Sequence, residues 1–188
     1  MKKILLIAAL GLASVAGFAQ QKFAHINFQE LVTLMPEADQ AREVMSASSK
    51  EAQDTYQSMV EEYQSKYTQY SQKASTWTQA IKESKEKELG EISQRIQEFE
   101  QSIQIELQQQ QQELMAPIYE KANNTLQELA KKGGYVYVFD ISTALYVDPA
   151  QSTDLTPAAR KALNIPEGRT LEQLQKELEA QAQAEQAQ

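Results

Sequence analysis

The 188-residue chain has no cysteine, one histidine, one tryptophan, six glycines and five prolines. Without cysteine it has neither a disulfide framework nor thiol chemistry. Its one histidine, His25, cannot by itself assemble a zinc site, which needs several protein ligands. The glycines are too few for a phosphate-cradling loop, and no GxGxxG, P-loop, GxSxG or HExxH pattern occurs. Asp140 and Asp148 bracket a turn and read as turn formers rather than as a carboxylate pair. Basic residues are also scarce, with 18 Lys and Arg against 26 Asp and Glu. That balance argues against a nucleic-acid partner. It also supplies no basic face for a membrane-surface helix. No enzymatic activity, cofactor, metal or stable membrane insertion is expected.

The shortage of glycine and proline is concentrated in one place. Ninety-six residues separate Pro36 from Gly133, and among them stand only Gly90 and Pro117. Apolar positions there recur in threes and fours. Tyr56, Val60, Tyr63, Tyr67, Tyr70, Ala74, Trp77 and Ile81 form one stripe; Leu89, Ile92, Ile96, Phe99 and Ile103 form another. Narrow stripes at a/d spacing predict two long helices, each needing a partner helix. The spacing fails only over Lys82 to Glu88, but those residues are good helix formers and make a poor turn. Ser75 to Thr78 is the better turn, with Thr76 and Gln79 fitting a capping box. The hairpin tip is therefore expected within 74–82, with each arm about 40 residues or roughly 60 Å long. The aromatic side chains Tyr56, Tyr63, Tyr67, Tyr70 and Trp77 read as the seam between the arms. A two-helix arm cannot bury them wholly, so direct ligand contact is the second reading. Gln108 to Gln112 read as a solvated helical face. Pro117 cannot donate to the carbonyl of Glu113, so a kink, and with it a hinge, is expected there.

The segments either side of the hairpin differ in kind. Lys2 and Lys3, an apolar run from Ile4 to Val15, and Gly17-Phe18-Ala19 have the form of a cleaved signal peptide over 1–19. The apolar run falls short of the roughly 20 residues that span a bilayer. The mature chain would begin at Gln20, outside the cytoplasm, with 16 basic and 26 acidic residues. Lys22 to Phe28 reads as a strand and Asn27 to Leu34 as a short helix. After the hairpin, Lys131 and Lys132 close a helix capped by Gly133-Gly134. Tyr135 to Ile141 is the strongest strand signal, and Ala144 to Val147 reads as a third strand completing a hairpin. Thr156 as N-cap with Pro157 behind it opens a helix ending at Leu163. Thr170 with Gln173 forms a capping box for a marginal helix carrying Leu171, Leu174 and Leu178. The final AQAQAEQAQ reads as frayed low-complexity sequence.

The fold class is α+β, mainly α: a long antiparallel helical hairpin (a coiled-coil arm) inserted in a small β-sheet body. The expected divisions are a leader at 1–19, a β/α body from 20–35 and 117–164, an arm at 36–116, and a linker and tail at 165–188. Three short strands cannot bury a self-sufficient core, so the sheet is expected to complete itself with other copies.

This order of elements resembles the Skp (OmpH-like) family of periplasmic chaperones over about Gln20 to Asn164. The similarity is carried by AHINFQEL at 24–31, QRIQEFEQ at 94–101, and YVFD, ALYVDP and DLTPAARKAL up to Leu163. The resemblance implies a homotrimer whose strands form an intersubunit barrel and whose arms enclose a cavity. Unfolded outer-membrane proteins would be held there without ATP. On that mapping Phe23, Ile26, Val136, Val138, Phe139, Leu145 and Val147 build the oligomerisation body. Two features depart from the family. Its familiar members are basic, whereas here the tip offers only Lys82, Lys85 and Lys87 interleaved with Glu83, Glu86 and Glu88. The tail beyond Asn164 is also longer than the family core requires. The competing reading is a structural periplasmic coiled-coil adaptor subunit of an envelope complex, which would hold one folded partner rather than many unfolded ones.

Overall fold

A computed structural model describes residues 21–186; the leader expected at 1–19 lies outside them. The chain divides into two units, one of Pro36–Glu120 and one formed by the residues up to Met35 together with those from Lys121 onward.

The first unit is the hairpin. Helix α2 runs over Pro36–Lys73 and α3 over Gln79–Gly133, joined by a 3-10 turn at Ala74–Thr76. Trp77 breaks the helical path with an extended backbone, and its N–H bonds the Ala74 carbonyl at 3.4 Å. The cap of α3 is Thr78, whose hydroxyl accepts from the N–H of Ile81 at 3.4 Å. Thr76 does not form the expected capping box with Gln79. It is held in the turn that closes α2, where its hydroxyl donates to the Lys73 carbonyl at 2.8 Å. Four pairs bridge the arms: Tyr56 with Glu100, Glu62 with Arg95, Lys66 with Glu88, and Tyr70 with Glu86. Each is centred on Trp77 to Gln79, which fixes the antiparallel register. Pro117 lies inside α3, which is assigned without interruption to Gly133.

The second unit is built on a three-stranded sheet, β1 (Lys22–Ile26), β2 (Tyr135–Asp140) and β3 (Ser152–Asp154), in the order β2-β1-β3. Both pairings are parallel, with Phe23 opposite Tyr137 and Ser152, and His25 opposite Phe139 and Asp154. The third strand is thus not Ala144–Val147. Parallel strands need a crossover, and residues 141–151 supply it, starting with a 3-10 turn at Ile141–Thr143. Leu145 in that crossover is fully exposed. Asp140 and Asp148 shape it, accepting from the N–H groups of Ser142 at 3.0 Å and Ala150 at 2.9 Å.

Helix α1 (Phe28–Leu34) sits at the centre of this unit's core. Asn27 caps it, accepting from the Glu30 N–H at 3.1 Å and donating to the Glu30 carboxylate at 2.9 Å. Leu31, Val32 and Leu34 are buried with Met35, alongside Ala24 and Ile26 of β1 and Ala122 and Leu126 of α3. Burying each large side chain contributes about 1.5–3 kcal/mol. Helix α4 (Thr156–Ala162) and helix α5 (Leu171–Gln186) both pack on α1. Thr156 is not the cap of α4: its hydroxyl accepts from the Asn27 N–H at 3.4 Å, and Asp154 takes the Thr156 N–H at 2.8 Å. Asn164, with φ +56°, ends α4 in the left-handed conformation, with Ile165 N–H bonding the Arg160 carbonyl at 2.9 Å. The capped helix expected after Thr170 forms, and it runs on through 180–186, where the low-complexity sequence predicts fraying; residues 187–188 lie outside the described residues. Thr170 and Gln173 exchange both capping-box bonds, at 3.2 and 3.3 Å, and Leu174 is buried.

Candidate functional site

Chemistry-bearing side chains do not converge. Among the described residues no cluster of His, Cys, Asp or Glu is arranged to hold a metal. His25 Nδ1 lies 2.8 Å from the Ser152 hydroxyl and joins β1 to β3. Among the described residues two apolar surfaces stand out.

The outer face of the sheet is an aromatic ladder. The Phe23 and Tyr137 rings stack at 6.2 Å, and Tyr137 and Phe139 at 5.8 Å. Tyr137 and Phe139 each keep about half of their surface exposed. Alternation along YVYVFD puts Tyr137 and Phe139 on this face and Val138 on the other. There Val138 lines a cleft with Ile26 and Leu126. Ile26 is buried in the chain's own core, while Val136, Phe139 and Leu145 are exposed and Phe23 and Val147 half-buried. The expected body residues therefore divide between the inside of the chain and its open surface. Tyr137, the middle of the ladder, was not among them; the period-2 alternation was the signal that marks it.

The second surface is the hairpin seam. Of residues 36–120 only Ala38, Ala41, Ile92 and Ile118 are buried among the apolar side chains. The seam aromatics are tied down by edges and hydroxyls. Tyr63 stacks on Tyr67 at 6.2 Å, and Tyr70 meets Trp77 edge-on at 5.9 Å. Tyr70 donates its hydroxyl to Glu86, and Tyr56 bonds Glu100. Tyrosine replaces leucine here because a phenol reaches a carboxylate on the opposite arm. The same bonds raise both phenol pKa values, since the neighbouring carboxylate disfavours a second negative charge. The Glu88 carboxyl is perturbed by two lysines. Hydrogen bonds from Lys66 first and Lys85 second hold its carboxyl down at about 2.

Towards the chain ends of the hairpin the seam opens. Ser48, Ala52 and Thr55 of α2 are too small to fill the space facing Phe99, Ile103 and Leu107 of α3, which leaves a groove of about 570 Å³. Glu51, Glu106 and Glu113 stand along it.

A family model described as outer membrane protein (OmpH-like) matches residues 22–163. The chain belongs to this OmpH-like family. The match runs from β1 to the end of α4, so α5 lies beyond it. Among curated relatives, the chaperone protein Skp of Yersinia enterocolitica is 26% identical over 158 residues, covering 83% of this chain and 95% of the relative. A crystal structure described as an OmpH-like outer membrane chaperone from Caulobacter crescentus superimposes with a TM-score of 0.68. It covers 79% of this chain and 86% of the other at 17% identity, a likeness of fold. The OmpH-like fold, with its long helical hairpin and small sheet, is the one expected from the sequence. Among the described residues no helix is long and apolar enough to cross a membrane.

Proposed function

We propose that this OmpH-like protein is an ATP-independent periplasmic holdase that keeps unfolded outer-membrane proteins from aggregating before membrane insertion. The observation that carries the reading is the family match, which takes in both the sheet and the hairpin. The relative from Yersinia enterocolitica is named a chaperone. The half-open seam adds a physical reason, because many weak contacts on long helices give avidity without fixing one client geometry. The protein acts by binding and catalyses no reaction. Its leader at 1–19 directs export. Its sheets assemble into the barrel of a homotrimer, with clients enclosed between the helical arms. Pro117 serves as the hinge of α3.

Assembly through the sheet predicts that Phe139→Asp, which places a charge on the open aromatic ladder, yields monomers by sedimentation velocity. Trimers of unchanged mass would refute it. Phe139 is the better probe than Val138, because Val138 lines the chain's internal cleft. Binding itself is tested by size-exclusion chromatography of the mature protein with several urea-unfolded outer-membrane barrel proteins, and with the same proteins folded in detergent. Co-elution with the unfolded forms alone is expected. Binding of a single folded partner, with none of the unfolded ones retained, would replace the holdase by an adaptor.

A further inference from the structure

Charge divides the hairpin sharply. Residues 61–97, the distal half around the tip, carry six acidic and six basic residues. Residues 36–60 and 98–120, the basal half, carry ten acidic residues and only Arg42 and Lys50 as cations. Seven of these twelve distal charges are ion-paired: Glu62 with Arg95 at 3.0 Å, Glu88 with Lys66 and Lys85, and Glu91 with Lys87 at 3.7 Å. In the basal half Arg42 pairs with Asp39. Glu100 accepts from Tyr56, and Glu113 from Gln109 at 2.8 Å. Among the described residues no side chain bonds or ion-pairs with Glu51 or Glu106. All the negative excess of the hairpin thus lies in its basal half, and three of those acids, Glu51, Glu106 and Glu113, line the stretch where the apolar seam is open.

Unpaired like charges repel and weaken the element that bears them. The groove at this level has an apolar floor of Phe99, Ile103 and Leu107 and carboxylates at its margin. A neutral or acidic apolar segment would gain the floor but leave the carboxylates uncompensated or opposed. A segment carrying lysine or arginine among apolar residues satisfies both. We propose that the basal groove between α2 and α3 docks cationic, apolar stretches of an unfolded polypeptide. Apolar side chains lie on Phe99, Ile103 and Leu107, and the cations meet Glu51, Glu106 and Glu113. The inference rests on the holdase reading and gives its clients a chemistry: selection is for positive local charge.

The test uses the mature full-length protein and labelled synthetic peptides of equal length and equal leucine content, bearing lysine and arginine, aspartate and glutamate, or serine and glutamine. Fluorescence anisotropy at low salt should give about tenfold tighter binding of the cationic than of the acidic peptide, falling to about twofold at high salt as screening removes the surface charge contribution. The triple substitution Glu51→Gln, Glu106→Gln, Glu113→Gln should abolish the preference while the protein retains its helical circular-dichroism spectrum. Glu83→Gln with Glu91→Gln, in the distal half, should leave the preference intact. Equal binding of all peptides, preference for the acidic one, or a preference that survives the triple substitution would overturn the groove assignment. So would a triple variant that changes the protein's sedimentation but not its peptide preference, because the groove would then be occupied by a second copy of this chain. Aggregation assays on an unfolded barrel protein, run in parallel, separate the two readings. Suppression without charge preference refutes the groove alone; absence of suppression and of all peptide binding refutes the holdase with it.

Discussion

In the distal half of the hairpin, acids and bases alternate and find one another across and along the arms. In the basal half, acids accumulate beside small residues and a gap. The same two helices therefore meet two demands. Near the tip, Lys66–Glu88, Arg95–Glu62 and Tyr70–Glu86 hold the register of the arms, and Ile92 is buried at 3% exposure. Lower down, Phe99, Ile103 and Leu107 share an open groove with the small residues Ser48, Ala52 and Thr55 of α2, and no residue between Ser48 and Thr55 is buried. Cross-arm ion pairs are thus concentrated towards the tip and small buried contacts (Ala38, Ala41, Ile118) at the chain ends, while the seam around Ser48 to Thr55 stays open beside negative charge. A long helix pair is stable as long as part of it is well zipped, which frees the rest from packing.

The contrast can be broken most directly by truncating the two seams. Ile92→Ala should cost about 2–4 kcal/mol, because it opens a cavity at a buried position. Ile103→Ala, at a position already half open, should cost less than about 1 kcal/mol. Urea denaturation followed by circular dichroism measures both. Equal losses would mean that the basal seam is as cohesive as the distal one. A smaller effect comes from the cap: Thr78→Ala removes the acceptor for the Ile81 N–H and should cost about 1 kcal/mol. Thr76→Ala, whose hydroxyl serves the turn instead, should cost less.

The smallest effects distinguish the charges by sign. Glu88→Gln should lower the melting temperature slightly, because it strips two lysines of their partner. Glu51→Gln should leave it unchanged or raise it slightly, because it relieves repulsion. A pH titration sharpens the same point. The Glu88 carboxyl titrates at about 2 instead of its ordinary 4.5. Its contribution is therefore fully present above 4.5 and is lost as pH falls from there through about 2. Solvent reaches a third of the side chain, so screening keeps the contribution small. In Glu88→Gln that acid-dependent component should vanish; an unchanged acid limb would show that the pair does not stabilise the tip.

Local signals carried much of this fold. The β-branched and aromatic run at Tyr135 to Asp140 forms a strand, the a/d stripes form the two helices, and the hydroxyl cluster at Ser75 to Thr78 holds the turn. Errors arose where long-range pairing decides. Ala144 to Val147 has strand propensity but no strand beside it, whereas Ser152-Thr153-Asp154 has only Thr153 to favour a strand and pairs with β1 because the crossover delivers it there. Likewise Thr76 and Thr78 are equivalent by composition, and only the path of the turn determines which hydroxyl caps α3. The helix after Thr170 was legible from its capping box and its leucines, and Leu174 is buried as that spacing implies. Only its length was missed, because the polar repeat from 180 onward continues the helix to Gln186. For the candidate surfaces, the seam aromatics were legible by spacing. The basal groove was not, because it depends on which small residues of α2 face which large ones of α3 once the register is set.

The measurement that bears most directly on the account is light scattering as a urea-unfolded outer-membrane barrel protein is diluted into buffer without ATP, with and without the mature protein. The account predicts that aggregation is suppressed near one oligomer per client, even though the arms are acidic. Undiminished scattering with several clients, at both low and moderate salt, would contradict it.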